Sequence, residues 1–248
     1  MSQEIEQAAA LLLEARRSGQ PLELPDWQPA DETEAYAIQA RVAAALGPVA
    51  GWKTGAPAPG APAIAAPLPA PRVWRGPVKL PAGDFRQRGI ELEVAFFLGR
   101  DLPPRDHDYS AAEVLAVVSS AHAAIEIVES RFADPAAAPP LWKLADHQSN
   151  GGFVTGAGVS RWEHLDLANL AVQLLVNDNE VLARNGGNPV GDPRGLLTFL
   201  ANHCRQRQGL KAGQWVTTGS YIGIVPVAAD AHVTGVLAGI GEVSLQFE

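Results

Sequence analysis

Cysteine is almost absent from this sequence of 248 residues, since Cys204 is the only one. A single thiol forms no intramolecular disulfide, and a zinc site built from several cysteines is excluded as well. Cys204 lies in a segment with helical character. The adjacent His203 would not face it there, because residues i and i+1 point in different directions on a helix. We therefore expect an inert thiol rather than a catalytic nucleophile.

Long apolar runs and clusters of basic residues are missing too. The longest apolar stretch near the N-terminus, residues 8–13, is too short to cross a bilayer, and no positively charged segment precedes it. With 19 Lys and Arg against 27 Asp and Glu, the formal net charge is -8, so the basic surface that nucleic-acid binding requires is lacking. These absences predict a soluble, cytoplasmic protein with no nucleic-acid or membrane partner.

Two familiar enzyme signatures are incomplete or absent. Gly156-Ala157-Gly158 begins like a dinucleotide-binding loop, but the third glycine and a surrounding βαβ unit are lacking. No Gly-x-Ser-x-Gly nucleophile elbow occurs. Any catalytic chemistry therefore has to come from another group of residues.

The hydropathy pattern predicts a mixed, strand-rich α/β fold with a helical layer at the N-terminus. Apolar residues recur at helical spacing over residues 4–18, and a second predicted helix, residues 32–46, follows the N-cap residue Asp31. Apolar and alternating segments between turn residues predict strands in the rest of the chain. These segments are residues 49–54, 89–99, 123–130, 166–176, 181–184, 215–218, 221–225, 232–237 and 243–247.

Two later helices are predicted from their first residues. Ser110 and Glu113 form a capping box that would open a helix toward Ser119. Asp192-Pro193 would begin a helix that runs to about Arg207, with the proline at its first position. Residues 1–50 would then be a helical N-terminal region and residues 51–248 a β-rich catalytic domain, together one compact unit.

Residues 56–81 are rich in proline, which lacks an amide donor and restricts the residue before it. We expect this segment to be an ordered loop or an edge ribbon, because Val73, Trp74 and Val78 look like packing residues. An inter-domain linker is the alternative.

Two carboxylates lie on one face of the predicted strand at residues 89–99. Glu91 and Glu93 are two residues apart, so their side chains point to the same side, about 7 Å apart. Apolar neighbours indicate a buried strand, where two like charges need compensation. A hard divalent cation such as Mg²⁺ or Mn²⁺ prefers oxygen ligands and would provide it. A sheet face in water, with both carboxylates solvated, is the alternative.

A third carboxylate, Glu126, is embedded in the next predicted apolar strand, residues 123–130. If the two strands were neighbours, Glu126 would complete a set of oxygen ligands and leave positions open for substrate and water. The sequence alone leaves that adjacency open.

The order of these segments resembles the fumarylacetoacetate hydrolase superfamily, and within it the group of 2-oxopent-4-enoate hydratases and 4-oxalocrotonate decarboxylases. The matching segments are residues 51–55, 90–96, 125–131, 145–151, 179–180, 185–186, 191–193 and 218–220. The resemblance implies a mixed β roll around the site and a homo-oligomer. It also implies that Glu91, Glu93 and Glu126 are the ligands of Mg²⁺ or Mn²⁺.

The resemblance further implies Lys53 and Asp146 as catalytic residues. Lys53 would pair with a substrate carboxylate or transfer protons, and a bound metal and a dry pocket would lower its pKa. The alternatives are a solvated lysine at a strand end and an aspartate that caps a helix. Ser149, Ser220 and His147 would contact the substrate, although both serines could equally be turn residues.

The implied activity is the addition of water to a 2-hydroxy-2,4-dienoate, as in aromatic catabolism, which gives a 4-hydroxy-2-oxo acid. Decarboxylation of a 4-oxalocrotonate-type 2-oxo acid and C–C hydrolysis of an acylpyruvate are alternatives, and a non-catalytic homologue is a third. His147, Gln148 and residues 56–81 depart from the pattern of the group where substrate choice should be decided.

Overall fold

The computed structural model describes residues 2–248, with helices concentrated near the N-terminus and strands in the remainder. The helices are α1 (Ser2–Ser18), α2 (Glu32–Leu46), α3 (Ala111–Leu115), α4 (Pro140–Ala145) and α5 (Arg194–Cys204). The strands are β1 (Val49–Gly55), β2 (Ile64–Pro69), β3 (Val73–Arg75), β4 (Val78–Leu80), β5 (Gly89–Leu98), β6 (Val118–Val128), β7 (Asn150–Val159), β8 (Ala171–Val176), β9 (Asn179–Asn185), β10 (Trp215–Ser220), β11 (Val225–Pro226), β12 (His232–Leu237) and β13 (Gly241–Phe247). The predicted mixed, strand-rich fold is confirmed.

The strands form two sheets. In the larger sheet the order is β2-β1-β10-β5-β6-β7-β3, and β11 pairs with β5 beside this path. The smaller sheet has the order β4-β13-β12-β8-β9. The apolar side of β5, with Ile90, Leu92 and Phe96 fully buried, belongs to one large core together with Val233 and Leu245 of the smaller sheet. The carboxylate side of β5 therefore faces away from this core.

The N-terminal helices share a second apolar cluster with residues from the β-rich part. Leu12 of α1 and Ile38 of α2 pack with Phe132 and with Trp142 of α4. The indole Nε1 of Trp142 donates a hydrogen bond to the carbonyl of Trp27, 3.0 Å away. Within residues 2–248, no helix has the length and apolar character needed to cross a bilayer.

The proline-rich segment is an ordered ribbon, and the linker alternative is wrong. β2 pairs with β1 at one edge of the larger sheet, β3 pairs with β7 at the other edge, and β4 lies at the edge of the smaller sheet. Edge positions suit proline, because one side of an edge strand makes no ladder hydrogen bonds.

Several predicted boundaries require correction. α3 ends at Leu115 rather than near Ser119, because β6 begins at Val118. The strand predicted from residue 166 begins only at Ala171, since Asp166 caps a turn by accepting hydrogen bonds from Asn169. Of the strand predicted at residues 221–225, only Val225 belongs to a strand, β11, which pairs with β5. α5 begins at Arg194 and ends at Cys204.

β7 and α4 were not predicted. The glycines of β7 interrupt the alternation of apolar and polar residues on which strand prediction depends. Gly156 is needed for close packing, because a Cβ there would lie 2.2 Å from the carbonyl oxygen of Glu242 and 2.6 Å from Cβ of Val243. Gly156-Ala157-Gly158 therefore lies in a strand, and no phosphate-binding loop forms from it.

Replacing Gly156 with alanine is expected to destabilise the fold by about 1–3 kcal/mol, because the clash involves backbone on the neighbouring sheet. Urea unfolding followed by circular dichroism measures this. Gly195→Ala in the first turn of α5 is the matched control, since nothing lies within 4 Å of its added Cβ. The control should be neutral or more stable by up to about 1 kcal/mol. Equal midpoints for the two variants would contradict the close approach of the sheets.

Candidate metal centre

Three glutamates from two adjacent strands meet on the outer face of the larger sheet. β5 carries Glu91 and Glu93, and β6 carries Glu126 directly opposite Glu91 in the antiparallel register. One carboxylate oxygen from each residue lies within 4.8 Å of the others. Glu93 and Glu126 are fully buried and Glu91 is half-buried. The adjacency of strands that the sequence left open is therefore present.

Lys53 projects from β1 toward the same three glutamates. Its ammonium group donates hydrogen bonds to Oε1 of Glu126 and, at 3.0 Å, to the carbonyl oxygen of Gln148. Its side chain is only 15% exposed. The side chain of Lys53 thus forms part of the site and is not solvated at a strand end.

Neighbouring polar groups orient two of the glutamates. Thr217 and the backbone N–H of Gly219 both donate to Oε2 of Glu93, the latter at 2.8 Å. Asn150 donates from Nδ2 to Oε1 of Glu126 at 3.1 Å. Gly219 adopts a φ of +92°, a conformation that L side chains rarely take.

No role for these orienting residues was predicted from the sequence. Asn150 lies in one of the matched segments, and that match was the available signal. Thr217 offered none, because its contact with Glu93 joins residues 124 positions apart.

The glutamates repel one another in a buried setting. Burial raises the pKa of Glu91 to about 8, the charge of Glu126 adds to the shift, and Lys53 opposes it. Burial likewise raises the pKa of Glu93 to about 7, and here too the charge of Glu126 raises it and that of Lys53 lowers it. Three carboxylates and one ammonium leave the site with two uncompensated negative charges when all are ionised.

The pKa of Lys53 is shifted in the opposite direction from the expectation. Burial alone lowers it, but the charges of Glu126, Glu91 and Glu93 together raise it above the usual value for lysine. The expected lowering assumed a cation that neutralises the carboxylates. Next to the negatively charged carboxylates, Lys53 keeps its proton.

The site can hold a divalent cation. Oε2 of Glu126 is buried and has no hydrogen-bond partner within residues 2–248. A buried carboxylate oxygen without a partner is unfavourable, and a cation would satisfy it. The oxygen-only ligand set and the two uncompensated charges fit a hard divalent ion.

A cavity of about 680 Å³ opens beside the glutamates. Lys53, Glu91, Glu93, Ser149 and Ser220 line its polar side, and the other side is mainly apolar. The apolar lining residues are Ile64, Val128, Pro135, Pro189, Ile224 and Pro226. Ile64 is the part of the proline-rich segment 56–81 that lines this cavity.

The two predicted serines differ in their freedom to contact a substrate. The hydroxyl of Ser220 donates to the carbonyl of Gly223 at 2.9 Å and accepts from the N–H of Ile222, so it also shapes a turn. Ser149 adopts a φ of 60° and lines the cavity without a hydroxyl partner among the described residues. Ser149 is thus the more available of the two hydroxyls.

Asp146 is not among the residues that line this cavity, so its catalytic role stays a prediction. Its fully buried carboxylate accepts hydrogen bonds from Nε of Arg131 at 2.6 Å, from the backbone N–H of Arg131 at 3.0 Å and from Arg16 at 3.2 Å. Because both oxygens accept hydrogen bonds from arginines, Asp146 holds the chain in place. It also ends α4, as the capping alternative proposed.

His147 is also placed away from the cavity. Its ring is fully buried, with Nδ1 3.2 Å from the carbonyl of Pro67 and Nε2 3.3 Å from that of Gln39. Burial lowers its pKa well below the usual range. A neutral imidazole has one N–H, so the ring donates to only one of these two carbonyls, that of β2 or that of α2. The predicted contact of His147 with substrate stays a prediction.

Residues 147–149 form a left-handed turn that presents a backbone carbonyl to Lys53. His147, Gln148 and Ser149 have φ values of 52°, 53° and 60°. Non-glycine residues adopt this conformation rarely, and three in succession require support from their surroundings. Asp146 supplies part of it, because its carbonyl accepts from the N–H of Ser149 at 3.0 Å.

Comparison with known proteins places the chain among enzymes of one family. The family model described as fumarylacetoacetate (FAA) hydrolase C-terminal matches residues 23–247. The protein 2-keto-4-pentenoate hydratase 1 of Dechloromonas aromatica (strain RCB) is 32% identical over 173 residues, which cover 67% of this chain and 62% of that protein. The 4-oxalocrotonate decarboxylase of Pseudomonas sp. (strain CF600) is 29% identical over 160 residues, or 64% of this chain and 59% of that protein. The match thus spans less than two thirds of the length of these relatives.

A solved structure shares the whole fold. The 4-oxalocrotonate decarboxylase from Pseudomonas putida G7, complexed with magnesium and adipate, has a TM-score of 0.86 at 21% sequence identity. The likeness covers 100% of this chain and 98% of that chain. It confirms the predicted β roll with its N-terminal helices.

Proposed function

This chain belongs to the fumarylacetoacetate hydrolase family, and we propose that it is a divalent-metal-dependent hydratase of a 2-hydroxy-2,4-dienoate. The product would be a 4-hydroxy-2-oxo acid, and the reference substrate is of the 2-oxopent-4-enoate type. The observation that carries the proposal is the meeting of Glu91, Glu93 and Glu126 beside Lys53 at the end of a cavity with an apolar wall.

Glu91, Glu93 and Glu126 would hold Mg²⁺ or Mn²⁺. A cation bound there supplies Lewis-acid stabilisation of the negative charge that develops on the oxygen at C2 of the substrate. Thr217, Gly219 and Asn150 fix the orientation of two of these glutamates through the hydrogen bonds described above. Fixed groups need little reorganisation as charge develops.

Lys53 is suited to donate a proton to the dienol carbon chain. Its ammonium group donates a hydrogen bond to Glu126 and lines the cavity where the substrate would lie. Its hydrogen bond to the carbonyl of Gln148 holds the ammonium group in one position. The apolar wall formed by Val128, Ile224 and their neighbours would contact the hydrocarbon part of the substrate and exclude bulk water.

Decarboxylation of a 2-oxo acid is the second candidate, because 4-oxalocrotonate decarboxylases are among the similar proteins. Loss of CO₂ from a vinylogous 2-oxo acid leaves electrons on the same C2 oxygen. The site would therefore serve that reaction without further groups.

Two experiments test the proposal: removal of the metal by chelation, and a comparison of activity toward two substrates. Protein stripped with EDTA should lose activity toward 2-hydroxypenta-2,4-dienoate and regain it with Mg²⁺ or Mn²⁺, since the glutamates offer only oxygen ligands. Loss of the diene absorbance measures the reaction, and a parallel incubation with 2-oxohex-3-enedioate measures CO₂ release.

The outcomes separate the two candidates. Metal-dependent loss of the diene absorbance supports the hydratase. Release of CO₂ from 2-oxohex-3-enedioate without water addition to the dienoate would replace it with the decarboxylase. Full activity after chelation would contradict the metal centre itself.

A further inference from the structure

A second lysine lines the cavity and has no assigned role. Among the described residues that line the cavity, only Lys53 and Lys143 carry positive charge. Lys53 is already bonded to Glu126 and to the carbonyl of Gln148. Lys143 is half-buried and makes no ion pair or side-chain hydrogen bond within residues 2–248. One lining cation is therefore free to meet a ligand.

Lys143 stands on a fixed part of the structure. It lies in α4 between Trp142 and Leu144, which are 1% and 3% exposed and anchor the helix in the apolar clusters. Gln39 donates from Nε2 to the carbonyl of Leu144 at 2.8 Å, which holds α4 against α2. A rigid base means that the ammonium group needs only side-chain ordering to bind an anion.

The cavity has room beyond the glutamates. Its volume of about 680 Å³ lies within the range of roughly 300–1,000 Å³ for pockets that hold drug-sized ligands. A five-carbon acid held at the glutamates is smaller than such ligands, so part of the cavity would remain. Pro135, Ile64 and Lys143 also line this cavity.

The glutamate site and Lys143 would each bind a different part of one ligand. A cation held by the glutamates would take up the carboxylate and oxo group at one end of a 2-oxo acid. Lys53 already lies next to the glutamates at that end. Lys143, a half-buried ammonium without an anionic partner among the described residues, is suited to a second anionic group carried at the far end of the hydrocarbon chain.

We propose that Lys143 is a specificity-determining residue that binds a second carboxylate at the distal end of the substrate. The preferred substrate is thus a 2-oxo or 2-hydroxydienoic acid that extends the 2-oxopent-4-enoate type by a second, distal carboxylate. This inference rests on the proposed function, because it places the first carboxylate at the metal centre.

Binding of two matched acids tests the proposal without turnover. 2-Oxoadipate and 2-oxohexanoate have the same number of carbons and the same 2-oxo acid end, and only the former has a distal carboxylate. Isothermal titration calorimetry with Mn²⁺-loaded protein should show about ten- to a hundredfold tighter binding of 2-oxoadipate, the range expected for one hydrogen bond to a charged group. In Lys143→Gln this preference should disappear, while the affinity for 2-oxohexanoate stays unchanged.

Two variants control for charge and for position. Lys143→Arg keeps a positive charge and should retain most of the preference for 2-oxoadipate. Lys79→Gln removes one positive charge from an exposed lysine on β4 that pairs with Glu248, and it should leave the preference intact. Loss of the preference in Lys79→Gln would mean that overall charge, not Lys143, selects the diacid, and would overturn the proposal.

The remaining outcomes separate the role of Lys143 from that of the metal centre. Equal affinity of the unmodified protein for both acids, or an unchanged preference in Lys143→Gln, would overturn the role of Lys143 and leave the hydratase proposal standing. If neither acid binds, whether or not Mn²⁺ is present, both the metal centre and the role of Lys143 are contradicted.

Discussion

Replacing Glu126 with glutamine is expected to abolish tight Mn²⁺ binding and to lower kcat/KM by about a thousandfold, or about 4 kcal/mol of transition-state stabilisation. The amide oxygen can still accept from Lys53 and Asn150, as Oε1 does now. The amide nitrogen would then take the place of Oε2, the buried oxygen without a partner. A donor in that place cannot bind a cation. Calorimetric titration with Mn²⁺ and steady-state kinetics measure the two losses.

The same substitution at Glu129 is the matched control. Glu129 follows Glu126 by three residues and is also buried, but its carboxylate accepts from the N–H of Gln87 at 2.7 Å and lies outside the metal cluster. Glu129→Gln should bind Mn²⁺ as the unmodified protein does. An unchanged Mn²⁺ affinity in Glu126→Gln would show that the ligands are elsewhere.

Without metal, Glu126→Gln should be more stable than the unmodified protein. Removing one of three buried carboxylates relieves the repulsion that raises the pKa of Glu91 and Glu93. Stability would thus rise in the same variant that loses metal binding, a pattern expected of a site selected for function.

Replacing Asp146 with alanine is expected to destabilise the fold by about 3–5 kcal/mol, because it leaves buried guanidinium groups without their counter-charge. The Arg131 side chain is 5% exposed and that of Arg16 13% exposed, and Asp146 is the carboxylate that both contact. Burial and the charge of Arg131 already lower the pKa of Arg16 to about 9 although Asp146 opposes them. Urea unfolding of the metal-free protein measures the loss.

Glu14→Ala provides the comparison for Asp146→Ala. Glu14 forms an ion pair with Arg17 on the surface of α1, where water screens both charges. Its loss should leave the unfolding midpoint nearly unchanged. A midpoint for Asp146→Ala as high as that for Glu14→Ala would contradict a structural role for the buried pair.

The cluster of carboxylates could be predicted in part because the pattern that indicates it lies within one strand. Glu91 and Glu93 share a face through the two-residue period of a strand, and apolar neighbours indicated burial. The signals that predict the helix at residues 32–46 are equally local. In the structure α2 has the same bounds, with Asp31 as its side-chain cap. Only the meeting of β5 with β6 required an inference beyond neighbouring residues.

The missed features depend on contacts between distant residues. Asp146 was assigned to the active site because it matches an acidic residue of the family's pocket, whereas its partner Arg16 lies 130 residues away in sequence. Gln148 was considered only as a side chain, but its carbonyl is what Lys53 contacts, and any residue could supply that group. Lys143 carried no motif at all. Its position in the cavity follows from the packing of α4.

Because Glu91 lies directly opposite Glu126, the three carboxylates come together only when β5 and β6 pair in the correct register. If β5 slipped past β6 by one residue, Glu91 and Glu93 would turn toward the apolar core and the three carboxylates would separate. A chain paired in that way would gain nothing from a divalent ion, whereas the correctly paired chain would be stabilised by binding it. In a cell containing Mg²⁺ or Mn²⁺, the cofactor would therefore also favour the one strand alignment in which the enzyme can work.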